Sequence, residues 1–136
     1  MKQFRELRLP SRIESVDEAA VKAENIVRDW GFGDDVLSAV DLAVRESVAN
    51  AVKHGNKFDE SKPVEIQFAK SDQGLAITVR DFGDGFAPAD IPDPRNPENL
   101  MKANGRGILF MRSFMDEVEW HCHADGGMVV KMLKKP

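Results

Sequence analysis

The chain has 136 residues, with 19 Lys and Arg against 23 Asp and Glu, a formal charge of −4 and 42% hydrophobic residues. That apolar content excludes a disordered chain, and the length suits one compact domain over residues 1–136. The mild acidity argues against direct nucleic-acid binding through overall charge.

A single cysteine, Cys122, cannot form an internal disulfide, so a disulfide scaffold is excluded and a reducing compartment is the natural expectation. No apolar run follows the positive charge near the N-terminus, and no stretch approaches the roughly 20 apolar residues that cross a bilayer. The expected setting is therefore the cytoplasm, with no membrane partner.

Residues 4–9, Phe-Arg-Glu-Leu-Arg-Leu, alternate as a strand does, and Pro10 ends them. Ser15-Val16-Asp17-Glu18 fits a capping box, which predicts a helix to about Trp30 with Gly31 as its stop. Asp34 and Asp35 offer a second N-cap. Apolar residues then recur at helical spacing from Val36 to Lys53, and Gly55 closes the run. Val64–Lys70 and Leu75–Asp81 read as a hairpin turned near Gly74.

Residues 83–105 hold four of the seven prolines, and a loop of that length inside a domain is uncommon and usually functional. A short helix is expected over Gly107–Met115. A terminal hairpin should run over Glu117–His123 and Met128–Leu133, turned at Asp125-Gly126-Gly127. The order predicts an α+β fold, a two-layer sandwich with helices on one face of a mostly antiparallel mixed sheet.

Three segments carry chemistry. In Glu46-x-x-x-Asn50 the spacing of four puts both side chains on one helix face, with His54 extending the stripe. An amide oxygen ligates a hard cation such as Mg²⁺, and a carboxylate one turn away is placed to orient or deprotonate a hydroxyl. Taken alone, this pair also fits an ordinary solvated helix face.

Asp81-Phe82-Gly83-Asp84-Gly85 closes a strand. Its glycines permit close backbone approach, and its carboxylate suits an exocyclic amine such as that of adenine. A polar turn explains the same residues when they are taken alone. Gly105-Arg106-Gly107 opens the expected short helix, leaving free N–H groups and a positive dipole end for phosphate, with Arg106 adding charge. A hinge explains that segment equally well. Together, the three make a Mg²⁺–ATP pocket, with residues of about 86–104 as a lid between the second and third.

These segments resemble the N, G1 and G2 boxes of the GHKL (histidine kinase-like ATPase) superfamily, and in particular the small anti-sigma factor serine/threonine kinases of bacterial partner switching. The matching residues are Glu46-Ser47-Val48-Ala49-Asn50-Ala51-Val52-Lys53-His54-Gly55, Asp81-Phe82-Gly83-Asp84-Gly85-Phe86 and Gly105-Arg106-Gly107-Ile108. Phe114-Met115-Asp116-Glu117-Val118 is also typical of that subfamily.

The resemblance implies that Asn50 ligates Mg²⁺ and that Glu46 is the base toward an acceptor serine. It implies that Asp81 holds the adenine amine in a pocket shaped by Gly83 and Gly85, and that Gly105, Arg106 and Gly107 line the phosphates. Lys53 and His54 are expected near the pocket, with no role assigned.

It further implies a sigma factor as one partner, a STAS-type anti-sigma-factor antagonist as the phosphorylated partner, and a homodimer. The alternative is a nucleotide-binding regulatory module that binds its partner without phosphotransfer; Glu46 favours the kinase. A histidine kinase catalytic domain fits less well, because those usually carry Asn where Glu46 stands. Two departures stand out. Met128 occupies a place where the family often has Thr, whose hydroxyl helps hold the adenine-binding aspartate through water. The lid is also rich in proline, which stiffens it.

His121-Cys122-His123 puts two histidines on one strand face and the thiol on the other, so three ligands cannot converge there. Cys122 is expected in the core, and Trp30 and Trp120 as packing residues. Lys131, Lys134 and Lys135 are expected to form a solvated end.

Overall fold

In the computed structural model, alternation at period two builds the sheet. The structure describes residues 3–83 and 115–135. The strands are β1 (Gln3–Pro10), β2 (Pro63–Ser71), β3 (Gly74–Arg80), β4 (Glu117–Cys122) and β5 (Met128–Lys134). They form one five-stranded sheet in the order β1-β2-β3-β5-β4. Every pairing is antiparallel, so the expected mixed character is not present among the described strands.

Val64, Ile66 and Phe68 of β2, Leu75, Ile77 and Val79 of β3, and Val130 and Met132 of β5 are buried. Their alternation sends Glu65, Gln67, Thr78 and Lys131 to the other face. The helices α1 (Glu14–Asp29) and α2 (Asp34–Asn50) contribute their apolar stripes to the same core, through Ala19, Ala23 and Val27 and through Val40, Ala43, Val44 and Val48. Small residues dominate these stripes and allow the helices a close approach.

Trp30 is buried, and its carbonyl accepts a hydrogen bond of 2.7 Å from Lys70 Nζ, while Trp120 packs against the core from β4. No described helix is long and apolar enough to cross a membrane.

Local signals at the helix starts worked differently from expectation. Ser15 does not cap α1. Its buried hydroxyl donates to the Pro10 carbonyl at 2.6 Å, and Ile13 stands at the cap position without a side-chain bond. The chain folds back immediately after β1, and the serine satisfies a carbonyl left at the strand end, a need that outranks a free helical N–H. Gly33 caps α2, so Asp34 and Asp35 lie inside its first turn, where their charge complements the helix dipole.

Cys122 is exposed, not buried. It lies at the end of the edge strand β4, with Sγ 3.9 Å from Met128 Sδ. Gly31 adopts φ +87° as the expected helix stop. The lid and the helix expected over Gly107–Met115 lie outside the described residues, apart from the buried Met115.

Candidate active site

The second helix supplies the first half of the site. Glu46 and Asn50 are half-buried, one turn apart, and neither side chain makes a hydrogen bond or ion pair among the described residues. Their neighbours are otherwise committed: Val44, Ser47 and Val48 are buried, and Ser47 Oγ donates to the Ala43 carbonyl at 2.7 Å. The pair therefore consists of polar groups on a helix anchored by its opposite face.

After Asn50 the helix widens into a π-turn over Ala51–Gly55. The Asn56 N–H bonds to the Ala51 carbonyl at 2.8 Å, and Lys57 and Phe58 take left-handed conformations that end the helix. Lys53 and His54 are exposed on this turn.

The turn ends against the second half of the site. A Cβ on Gly55 would lie 2.2 Å from Asp81 Oδ2, and one on Gly83 would lie 2.3 Å from the Gly55 carbonyl oxygen. Only hydrogen at these positions permits the end of the helix and the end of β3 to touch. Gly127, at φ +87°, closes the other side: a Cβ there would lie 2.0 Å from the Asp81 carbonyl oxygen.

Asp81 is 6% exposed. Its Oδ1 accepts from the backbone N–H groups of Gly83 at 3.0 Å and Met128 at 3.1 Å. Its own N–H donates to the Met128 carbonyl at 3.0 Å. The side chain of Met128 cannot replace the hydroxyl of a threonine, but its main chain grips the aspartate directly.

Burial raises the Asp81 pKa, and these two N–H groups and the charges of Arg80 and Lys62 only partly oppose it. Oδ2 makes no hydrogen bond among the described residues. A carboxylate with one oxygen fixed by backbone and the other unbonded is an acceptor prepared for a ligand N–H. Next to it, the Arg80 guanidinium lies 4.2 Å from the Phe82 ring centroid and donates from Nη2 to the Gly126 carbonyl at 3.3 Å.

The structure thus packs the end of the Glu46–Asn50 helix directly on Asp81 and Gly83. Gly85, Gly105, Arg106 and Gly107 lie outside the described residues. Sequence reasoning treated Gly55 as a helix stop and Gly127 as part of a hairpin turn, and it did not single out Asn56. The first two were visible as glycines, but the contacts that require them join segments far apart in the chain.

Among the described residues, Asp81 is a buried acceptor with one unbonded oxygen, and Glu46 and Asn50 are a carboxylate and an amide without partners on one helix, a set whose chemistry fits Mg²⁺–ATP. The histidine kinase-like ATPase domain family matches residues 9–134. The chain is 31% identical over 138 residues to the serine-protein kinase RsbW of Bacillus licheniformis, covering 95% of this chain and 83% of that protein. It is 31% identical over 139 residues to the anti-sigma F factor of Heyndrickxia coagulans, covering 98% and 93%.

The fold also resembles the crystal structure of the RsbU and RsbW domains of a Mycobacterium tuberculosis protein, with a TM-score of 0.72 at 16% identity. The match covers 98% of this chain and 32% of that longer one. The chain belongs to the histidine kinase-like ATPase family. Within it, its likeness is to the serine-protein kinases and anti-sigma factors, and its enzymatic class is that of a protein serine kinase.

Proposed function

We propose that this protein serine kinase uses Mg²⁺–ATP to phosphorylate a serine of a STAS-type anti-sigma-factor antagonist and, as an anti-sigma factor, sequesters a sigma factor. It works in the cytoplasm as a homodimer. The observation that carries the catalytic part is the contact of Gly55 with Asp81, which ties the helix bearing Glu46 and Asn50 to a buried carboxylate with one oxygen unbonded among the described residues. The anti-sigma part is supported by the likeness to anti-sigma F factors over nearly the whole chain.

In this reading Asp81 accepts a hydrogen bond from the adenine amine. Gly83 and Gly85 shape the pocket for the ring, and Gly105, Arg106 and Gly107 receive the phosphates. Asn50 holds Mg²⁺, which neutralises charge on the phosphates when bound. Glu46 takes the proton from the acceptor serine as its oxygen bonds to the γ-phosphorus; the bond to the bridging oxygen breaks and ADP departs.

The direct test is calorimetric titration with ATP, with and without Mg²⁺, together with a transfer assay on a serine-bearing STAS protein. The reading requires binding in the submillimolar range, enhanced by Mg²⁺ in the parent and not in Asn50→Ala. No binding at millimolar ATP would remove it. Binding without any transfer would leave only a nucleotide-dependent binding module.

A further inference from the structure

Asn56 uses its whole amide in the interior. It is 2% exposed. Its Nδ2 donates to Ser11 Oγ at 2.7 Å and to the carbonyls of Pro63 at 3.0 Å and Lys62 at 3.2 Å. Its Oδ1 accepts from the Phe82 N–H at 2.8 Å. Ser11 Oγ completes the network by donating to the Lys62 carbonyl at 2.5 Å.

One side chain thus joins the turn after β1, the segment leading into β2, the end of the π-turn and the residue directly after Asp81. Packing alone does not require an amide here. A residue of similar volume without polar atoms would avoid desolvating it, and a buried amide persists only where its partners repay that cost.

Among the described residues, three hydrogen bonds restrain the backbone N–H groups from Asp81 to Gly83. The Asp81 N–H is fixed by Met128, the Gly83 N–H by Asp81 itself, and the Phe82 N–H by Asn56. Without Asn56, the Phe82 amide loses its tie to the helix end, and the segment that brings the Gly83 N–H to Asp81 Oδ1 loses one of the restraints that aim the carboxylate past Gly55.

We propose that Asn56 is a positioning residue for recognition of the purine base, setting the orientation of Asp81 without touching the nucleotide. This rests on the reading of Asp81 as the acceptor of the adenine amine. The effect should be confined to the base. GTP presents a carbonyl where ATP presents the amine, so a carboxylate held in place discriminates between them, whereas the phosphates and Mg²⁺ are bound elsewhere.

The experiment measures ATP and GTP affinities by calorimetry for the parent, Asp81→Asn, Asn56→Ala and Ser11→Ala, with Mg²⁺ titrated in parallel. Asp81→Asn should abolish the preference for ATP. Asn56→Ala should narrow it about tenfold by weakening ATP alone, with the Mg²⁺ enhancement retained. Ser11→Ala, which removes one anchor of Asn56, should narrow it about two- to threefold.

If Asp81→Asn leaves the preference intact, the base-recognition reading fails and takes the inference with it. If Asp81→Asn abolishes the preference but Asn56→Ala weakens ATP and GTP equally, Asn56 is merely structural and the inference alone falls. Should Asn56→Ala not fold, an unchanged preference in Ser11→Ala overturns it equally.

Discussion

The two halves of the candidate site are built on opposite plans. Around Asp81, the carboxylate, its own N–H and the next two residues are all tied by hydrogen bonds, and three glycines leave no slack. Around Glu46 and Asn50 the backbone is a regular helix, and the two side chains carry no bond among the described residues. A half that recognises a fixed shape gains from preorganisation, because no ordering cost is left for the ligand to bear. A half that must bind a metal or exchange a proton gains from groups with no competing partner.

The largest test of this contrast is Glu46→Gln. Phosphoryl transfer should fall by about 10²- to 10⁴-fold with ATP affinity nearly unchanged, read by single-turnover transfer beside calorimetry. Equal losses in both would show that Glu46 belongs to the rigid half instead.

Next comes Gly127→Ala. A methyl at φ +87° and 2.0 Å from the Asp81 carbonyl forces the hairpin away from β3, and a loss of about 3 kcal/mol in urea unfolding is expected. An unchanged midpoint would mean that the Asp81 cradle is looser than it looks.

A smaller effect follows from pH. Burial raises the folded Asp81 pKa above its usual 3.8, so the charged form is the disfavoured one in the fold. Its burden on stability is absent below that usual value, grows as pH rises toward the folded value, and is complete above it. In the proposed reading, the adenine amine is held by the charged form. Acidification through the raised value should therefore weaken ATP binding in the parent relative to Asp81→Asn, whose own affinity serves as the baseline at each pH.

The smallest effect belongs to Arg45, next to Glu46 on α2 but bonded to Asp17 and Asp41. The Arg45 side chain is 39% exposed, so solvent screens these pairs, and Arg45→Ala should cost no more than about 1 kcal/mol in the same urea assay.

Much of this architecture could be read from residue order. The strands announced themselves through alternation such as Val64-Glu65-Ile66-Gln67-Phe68, and the helices through stripes of alanine and valine. The motif residues Glu46, Asn50, Asp81 and Gly83 were recognisable because their spacing is local.

What escaped was decided by partners and strand ends that a position's own pattern does not reveal. Ser15 looked like a cap because the pattern at its own position allowed it, but the Pro10 carbonyl had the stronger claim. Cys122 shares the inward parity of Val118 and Trp120, but it sits where the edge strand ends. Asn56 reads as one more polar residue after a helix, since its partner Phe82 lies 26 positions away.

The widened turn over Ala51–Gly55 imposes a rule on length. Its span is matched to the gap between two segments that must meet, so a one-residue deletion would swing everything downstream by about 100° and withdraw both Gly55 and Asn56 from their partners. Exchanges at the water-facing Lys53 and His54 leave that spacing alone. In any set of descendants of this chain, positions 53 and 54 should drift in identity while the stretch admits neither insertion nor deletion.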